Sequence, residues 1–227
     1  MPTPSRKVVT RSPKRTVGLF NCSWFQLHPI EHESRLEKHF LQRAILFPAL
    51  ASIQHQPFRL ELSGHGQSYT PDFLLRFVNG EQIVVEIKRS EKIKVLIARL
   101  DEIAQRLTER QLKFFVVHQG QIEGGLRAQR AALLRRYATW SVPVALLVAV
   151  HEALTTSPGG LRIGELRQRL GLTWPQFYAL AARREIALSP DLLLSDDDLV
   201  YPLTKEVRNA PDQFGSWFGC AAWRTHP

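Results

Sequence analysis

Tyr69-Thr70-Pro71-Asp72-Phe73-Leu74-Leu75-Arg76-Phe77-Val78-Asn79-Gly80-Glu81-Gln82-Ile83-Val84-Val85-Glu86-Ile87-Lys88 is the stretch whose reading decides the fold. Apolar, β-rich runs at Phe73–Phe77 and Gln82–Ile87 flank Asn79-Gly80, the strongest short hairpin signal in the chain. The register depends on loop length. A two-residue Asn79-Gly80 turn pairs Val78 with Glu81 and sends Asp72 to the face opposite Glu86, because neighbouring side chains on a strand alternate in direction. A three-residue loop, Val78-Asn79-Gly80 with Gly80 in the left-handed position of a bulge, pairs Phe77 with Glu81 and puts Asp72 opposite Glu86. In that second register one face collects Asp72, Glu86 and Lys88. The other collects Phe73, Leu75, Phe77, Ile83, Val85 and Ile87, an unbroken apolar surface ready to pack on a helix. The bulged hairpin satisfies core and polar cluster together, and it is the expected one.

Two carboxylates placed opposite each other across strands repel, and folding alone has no use for them. A hard cation has. Hydrolysis of a phosphodiester needs such an ion to orient water and neutralise charge on the phosphate, and carboxylate oxygens are its natural ligands. Lys88 is placed to polarise or deprotonate the attacking water, or to hold a phosphate oxygen. Pro71, lacking a backbone donor, suits the start of a strand at the mouth of a sheet.

Around this hairpin, Glu33 to Phe47 carries Leu36, Phe40, Ala44 and Phe47 at helical spacing, widened by Leu41 and Ile45 and closed by Pro48. Phe58-Arg59-Leu60-Glu61-Leu62 alternates as a strand does. Glu91 to Gln111 returns to helical spacing through Ile93, Leu96, Ile97, Leu100, Ile103, Ala104 and Leu107, and Phe114 to Val117 is a further buried strand. Helix, three strands, helix and strand make an α/β sheet and not a bundle. Beyond Gly120 the composition turns to Ala, Leu and Arg, with helices over 126–137 and 142–154. Ile163–Leu170, Gly171 and a helix from Trp174 to Glu185 capped by Thr173 form a helix-turn-helix pattern. A hairpin of Leu192–Leu194 with Leu199–Leu203, turning on Asp196-Asp197-Asp198, completes a winged-helix-like set. The last twenty residues, with Phe214, Trp217, Phe218 and Trp223, read as an aromatic tail that either docks on a partner or packs back on its own domain.

The net charge of +9 favours a polyanion, most simply nucleic acid. Five of those charges, Arg6, Lys7, Arg11, Lys14 and Arg15, lie in a Pro/Ser-containing N-terminal stretch that is either a solvated terminus or a phosphate-contacting arm. The longest apolar run, Val142 to Val150, is too short to cross a bilayer and no secretory signal is present, so a cytosolic protein without a membrane partner is expected. Cys22 and Cys220 sit near opposite ends without metal-ligand spacing, which argues against a zinc site or a disulfide framework.

Ser34-Arg35-Leu36-Glu37, Gln54-Gln56-Pro57 around His55, Tyr69-Thr70-Pro71-Asp72-Phe73-Leu74 and Val85-Glu86-Ile87-Lys88 together resemble the PD-(D/E)xK nuclease superfamily. The order and spacing are more similar still to the TnsA endonuclease subunit of heteromeric transposases, over roughly residues 19 to 140. The resemblance implies a restriction-endonuclease-like core (αβββαβ) followed by a mostly helical winged-helix-like C-terminal domain. It implies a basic tail over 1–18, the nuclease domain over 19–120, the winged-helix-like domain over 121–206 and the aromatic tail over 207–227. It further implies Glu37, Asp72, Glu86 and Lys88 as catalytic residues, with Asp72, Glu86 and Glu37 holding Mg2+, or Mn2+ in its place. Ile87 would support the site. Gln56 either braces the site or contacts phosphate, or is a buried amide that completes backbone hydrogen bonds.

The partners implied are DNA at transposon ends, a DDE transposase and an ATP-dependent transposition regulator. The place implied is the bacterial cytoplasm, on the nucleoid when assembled on DNA. A free-standing nuclease of repair, restriction or junction resolution, and a non-enzymatic DNA-binding adaptor, are the alternatives. Trp174–Glu185 offers few cations, so protein contact or scaffolding is the expected role of the second domain.

Overall fold

The computed structural model describes residues 17–63, 67–203 and 208–225. The five basic residues from Arg6 to Arg15 lie outside them. Chain order runs β1 (Gly18–Phe20), β2 (Ile30–His32), α1 (Arg35–Ala44), β3 (Leu50–His55), β4 (Leu60–Glu61), β5 (Ser68–Tyr69), β6 (Phe73–Phe77), β7 (Gln82–Lys88), α2 (Ser90–Val95), α3 (Ile97–Thr108), β8 (Lys113–His118) and α4 (Gln119–Glu123). After a 3-10 turn come α5 (Arg127–Tyr137), α6 (Val144–Thr155), β9 (Leu161–Arg162), α7 (Ile163–Leu170), α8 (Trp174–Ala182), β10 (Ala187–Leu188), β11 (Leu199–Tyr201) and α9 (Ala210–Phe218). The chain is mixed α/β. Among the described residues no helix is long and apolar enough to cross a membrane.

Two compact units divide it, one of residues 1–41, 49–122 and 207–227, the other of 42–48 and 123–206. In the first, β3-β6-β7-β8 form one sheet, antiparallel except for β8, which runs parallel to β7. Strand β7 is central and buried from Ile83 to Ile87, as a strand covered on both faces must be. On one face Phe40 of α1 stacks on Phe73 with centroids 5.4 Å apart, and Phe214 of α9 lies 5.8 Å from Phe77. On the other, Leu100, Ile103, Ala104 and Leu107 of α3 pack with Val84, Phe114 and Val116.

The hairpin adopts the bulged register. Phe73 pairs with Val85 and Leu75 with Ile83; Phe77 donates its N–H to the Glu81 carbonyl at 2.9 Å, and Gly80 sits at φ +86°. A Cβ at Gly80 would meet nothing within 4 Å, so the cost of a side chain there is backbone strain alone. Gly80→Ala is expected to lower stability by about 1–2 kcal/mol in urea unfolding with an unchanged slope. A neutral substitution would mean that the loop relaxes without its left-handed residue.

Two expectations about elements of this unit need correction. The first sheet strand is Leu50–His55, not Phe58–Leu62, of which only Leu60–Glu61 pairs, in a short ladder with Ser68–Tyr69. A bulge between Leu50 and Ser52 puts the buried Leu50 and Ile53 three residues apart, which erases the period of two. The helix expected over 91–111 is broken at Leu96, and only its second part, α3, buries a stripe. Of the two readings of the aromatic segment, packing back is the one observed: it forms the helix α9, whose Phe214, Trp217 and Phe218 are buried.

In the second unit β10, β11 and β9 form an antiparallel sheet in that order, beside α7 and α8. Thr173 and Gln176 form the capping box that starts α8. The expected strand Leu192–Leu194 is absent, because Leu192 and Leu194 both take positive φ, and Ala187–Leu188 pairs with β11 instead. The three aspartates are not a row facing outward. Asp198 is buried and accepts from Ser189 Oγ at 2.9 Å and the Leu199 N–H at 3.0 Å, while Asp196 holds Arg167 at 2.9 Å and Asp197 alone stays 93% exposed.

Candidate active site

The bulged register places Asp72, one residue before β6, beside Glu86 of β7. The Asp72 N–H lies 3.4 Å from Glu86 Oε2, and Asp72 Oδ2 accepts the Ile87 N–H at 2.7 Å. Each carboxylate thus reaches across to its neighbour's strand. Lys88, two residues beyond Glu86 on the same face, donates to Glu86 Oε1 and lies 4.0 Å from Asp72 Oδ2. Glu86 is 5% exposed as a side chain, whereas Asp72 and Lys88 keep 23% and 27%. The cluster is walled in but retains one open side.

Electrostatics follow from that enclosure. Burial pushes the Asp72 carboxyl well above the ordinary range, and the charges of Glu86 and Glu37 push it further, against the pull of Lys88. Burial alone would lower the Lys88 ammonium, but Glu86 first and then Asp72 outweigh it and hold it above its usual value. Lys88 is therefore the cation of the cluster.

Glu37 is positioned by a capping box. Ser34 Oγ donates to its Oε1 at 2.8 Å, the Glu33 N–H donates to its Oε2 at 2.7 Å, and the Glu37 N–H returns to Ser34 Oγ at 3.1 Å. Burial raises its pKa. It is close enough for its charge to act on Asp72 and Lys88, yet both its oxygens are engaged at the helix start. Among the described residues no three His, Cys, Asp or Glu side chains converge as metal ligands. Asp72 and Glu86 are brought together, and Glu37 stands near them with its oxygens at the helix start. Gln56 follows β3 beside the site: its main-chain N–H donates to the Asp72 carbonyl at 3.0 Å and its side-chain Nε2 to Glu33 Oε1 at 3.1 Å.

Tyr69 is the residue that sequence reasoning missed. Its hydroxyl donates to Glu86 Oε2, so Glu86 is gripped by Tyr69 on one oxygen and Lys88 on the other. Burial, then Glu86 and Asp72, raise the phenol far above its ordinary value and keep it a donor. The motif contained Tyr69, but only the short β4-β5 ladder shows where it is held. Tyr69→Phe is expected to cost about 10–100-fold in metal affinity or turnover with the fold intact. Equal metal titrations of the two proteins would remove Tyr69 from the site.

The donor set fits a hard divalent cation. Asp72 and Glu86 supply anionic oxygens, the Ile87 carbonyl lies 3.4 Å from Lys88 Nζ at the same place, and a cation relieves the repulsion that raises Asp72. Comparison with models of known protein families and with curated proteins finds no match to this chain.

Proposed function

We propose that the chain is a magnesium-dependent DNA endonuclease subunit of a heteromeric transposase, hydrolysing the 5′ ends of a transposable element while a DDE transposase cuts the other strand. The observation that carries the reading is the opposition of Asp72 and Glu86 across β6 and β7, with Lys88 in contact on the same face. The order α1, β3, β6, β7, α3, β8 supports a restriction-endonuclease-like core, and β9 to β11 with α7 and α8 support a winged-helix-like second domain. Asp72, Glu86 and the Ile87 carbonyl would hold the ion. Magnesium, or manganese in its place, supplies there the Lewis acidity that orients water and offsets charge on the phosphate. Lys88, which Glu86 and Asp72 raise above its ordinary value in the metal-free protein, is placed to polarise the attacking water or to donate to a phosphate oxygen.

Protein contact or scaffolding, and not sequence readout, is the role proposed for the second unit. Arg183 donates to the Ala179 and Trp140 carbonyls, and Arg184 lies 3.5 Å from those of Phe47 and Pro48, so the cations of the α8 end are engaged on backbone. The partners proposed are transposon-end DNA, the DDE transposase and an ATP-dependent regulator, in the bacterial cytoplasm. The purified chain with magnesium and end-bearing DNA, alone and with the transposase, tests the whole. Cleavage that appears only with the partner supports the subunit; cleavage by the chain alone supports a free-standing nuclease. Excision unchanged by Asp72→Ala would leave a DNA-binding adaptor.

A further inference from the structure

Strands β7 and β8 run parallel and end together, Lys88 beside His118 in the ladder. Ladder partners share a face, so His118 stands on the face of Glu86 and Lys88, about 5 Å from Lys88 along the hydrogen-bonding direction. Its Nδ1 accepts the Gly120 N–H at 3.2 Å, which leaves the ring proton on Nε2. Nε2 has no partner among the described residues.

Beyond the strand ends the chain turns into α2 and α4. These are tied to each other, the Ser90 N–H donating to Gln119 Oε1 at 2.8 Å and Gln119 Nε2 to Ser90 Oγ at 2.7 Å. Helix α2 buries no residue, and it is basic. Arg89 has Glu91 at 4.0 Å, whereas Lys92 and Lys94 are exposed and form no ion pair among the described residues. Ile93 packs half-buried against the core and anchors the helix, while its exposed lysines take no part in that packing. Set directly after Lys88, the helix presents positive charge at the rim of the carboxylate cluster.

We propose that α2 and the end of β8 form the track for the phosphate backbone of the DNA strand that enters the Asp72/Glu86/Lys88 site, with His118 Nε2 as inner donor and Lys92 and Lys94 as outer cations. This rests on the nuclease reading above. Neutralising two phosphate contacts lowers the salt dependence of binding by a predictable step, since each contact contributes about 0.9 to the slope of log K on log salt.

The test uses the full chain carrying Asp72→Asn, so that a short DNA duplex is bound and not cut. Adding Lys92→Gln and Lys94→Gln is expected to reduce the slope by about 2 with an unchanged thermal midpoint. Adding Arg106→Gln and Lys113→Gln, which removes equal charge elsewhere on the same unit, is expected to change it much less. His118→Ala is expected to weaken binding about tenfold, and His118→Gln, which keeps a side-chain N–H, to restore most of it. Equal slopes in the two double variants, or a track double that binds as its parent does, overturn the track while leaving the nuclease reading standing. A parent chain that binds neither duplex nor single-stranded DNA overturns both, and retention of an acidic protein surface by Lys92 and Lys94 in its place would reassign the patch.

Discussion

On the nuclease reading proposed above, Asp72→Asn is expected to lower magnesium-dependent DNA cleavage by at least about 10³-fold and to leave the folded protein as stable as before, or more so. The two halves come from one geometry. Removing an ion's ligand removes several kcal/mol of charge stabilisation in the transition state, and each ~1.4 kcal/mol is tenfold in rate. For stability the sign is opposite. Asp72 is enclosed beside Glu86 with its pKa well above the ordinary carboxylate range. In the metal-free protein the folded state therefore holds a proton that the unfolded chain has released, and stability falls as pH rises from the ordinary aspartate value through the raised one. Asparagine carries no charge and lacks that slope. Urea unfolding of both proteins across this window, beside a cleavage assay, checks each half. A variant that loses stability and activity together would make Asp72 a structural residue.

Phe214→Ala should produce the largest loss of stability of any substitution considered, about 3–5 kcal/mol from a total of about 5–15. The ring is buried and lies 6.3 Å from Phe40, 5.8 Å from Phe77 and 4.9 Å from Phe218. Alanine leaves a cavity over the sheet face opposite the carboxylates, where neighbours fixed on two helices and a strand cannot close it. Calorimetry or denaturant unfolding measures it. A change below about 1 kcal/mol would return this segment to a loosely attached tail.

How much of this was legible differs by element for physical reasons. The hairpin register was legible because parity ties six apolar residues and two carboxylates to one choice of loop length. The helix α3 was legible from its apolar spacing, though the break at Leu96 was not, and strand β8 from its continuous apolar run. Strand β3 was not, because its bulge destroys the period that identifies a strand. In α9, Pro211 near the start and Gly219 at φ +68° past the end are proper boundary signals, but the aromatic composition drew the reading toward a tail. The positive φ at Leu192 and Leu194 has no sequence signature, since leucine disfavours it. At the site, Asp72, Glu86 and Lys88 came from the pattern. The Tyr69 contact depends on the β4-β5 ladder, and the two engaged oxygens of Glu37 on the cap, neither of which spacing alone reveals.

Glu81, which closes the hairpin opposite Phe77, also accepts the Ala210 N–H at 3.1 Å, so α9 begins on the loop that sets the register. Ribosomes make that helix only after the whole of residues 123–206. Until it emerges, Phe77 and its neighbours lack their cover, and a nascent chain carries its carboxylate pair on an unfinished sheet. The order of synthesis thereby delays completion of the sheet that carries the carboxylate pair until residues 123–206 have been made.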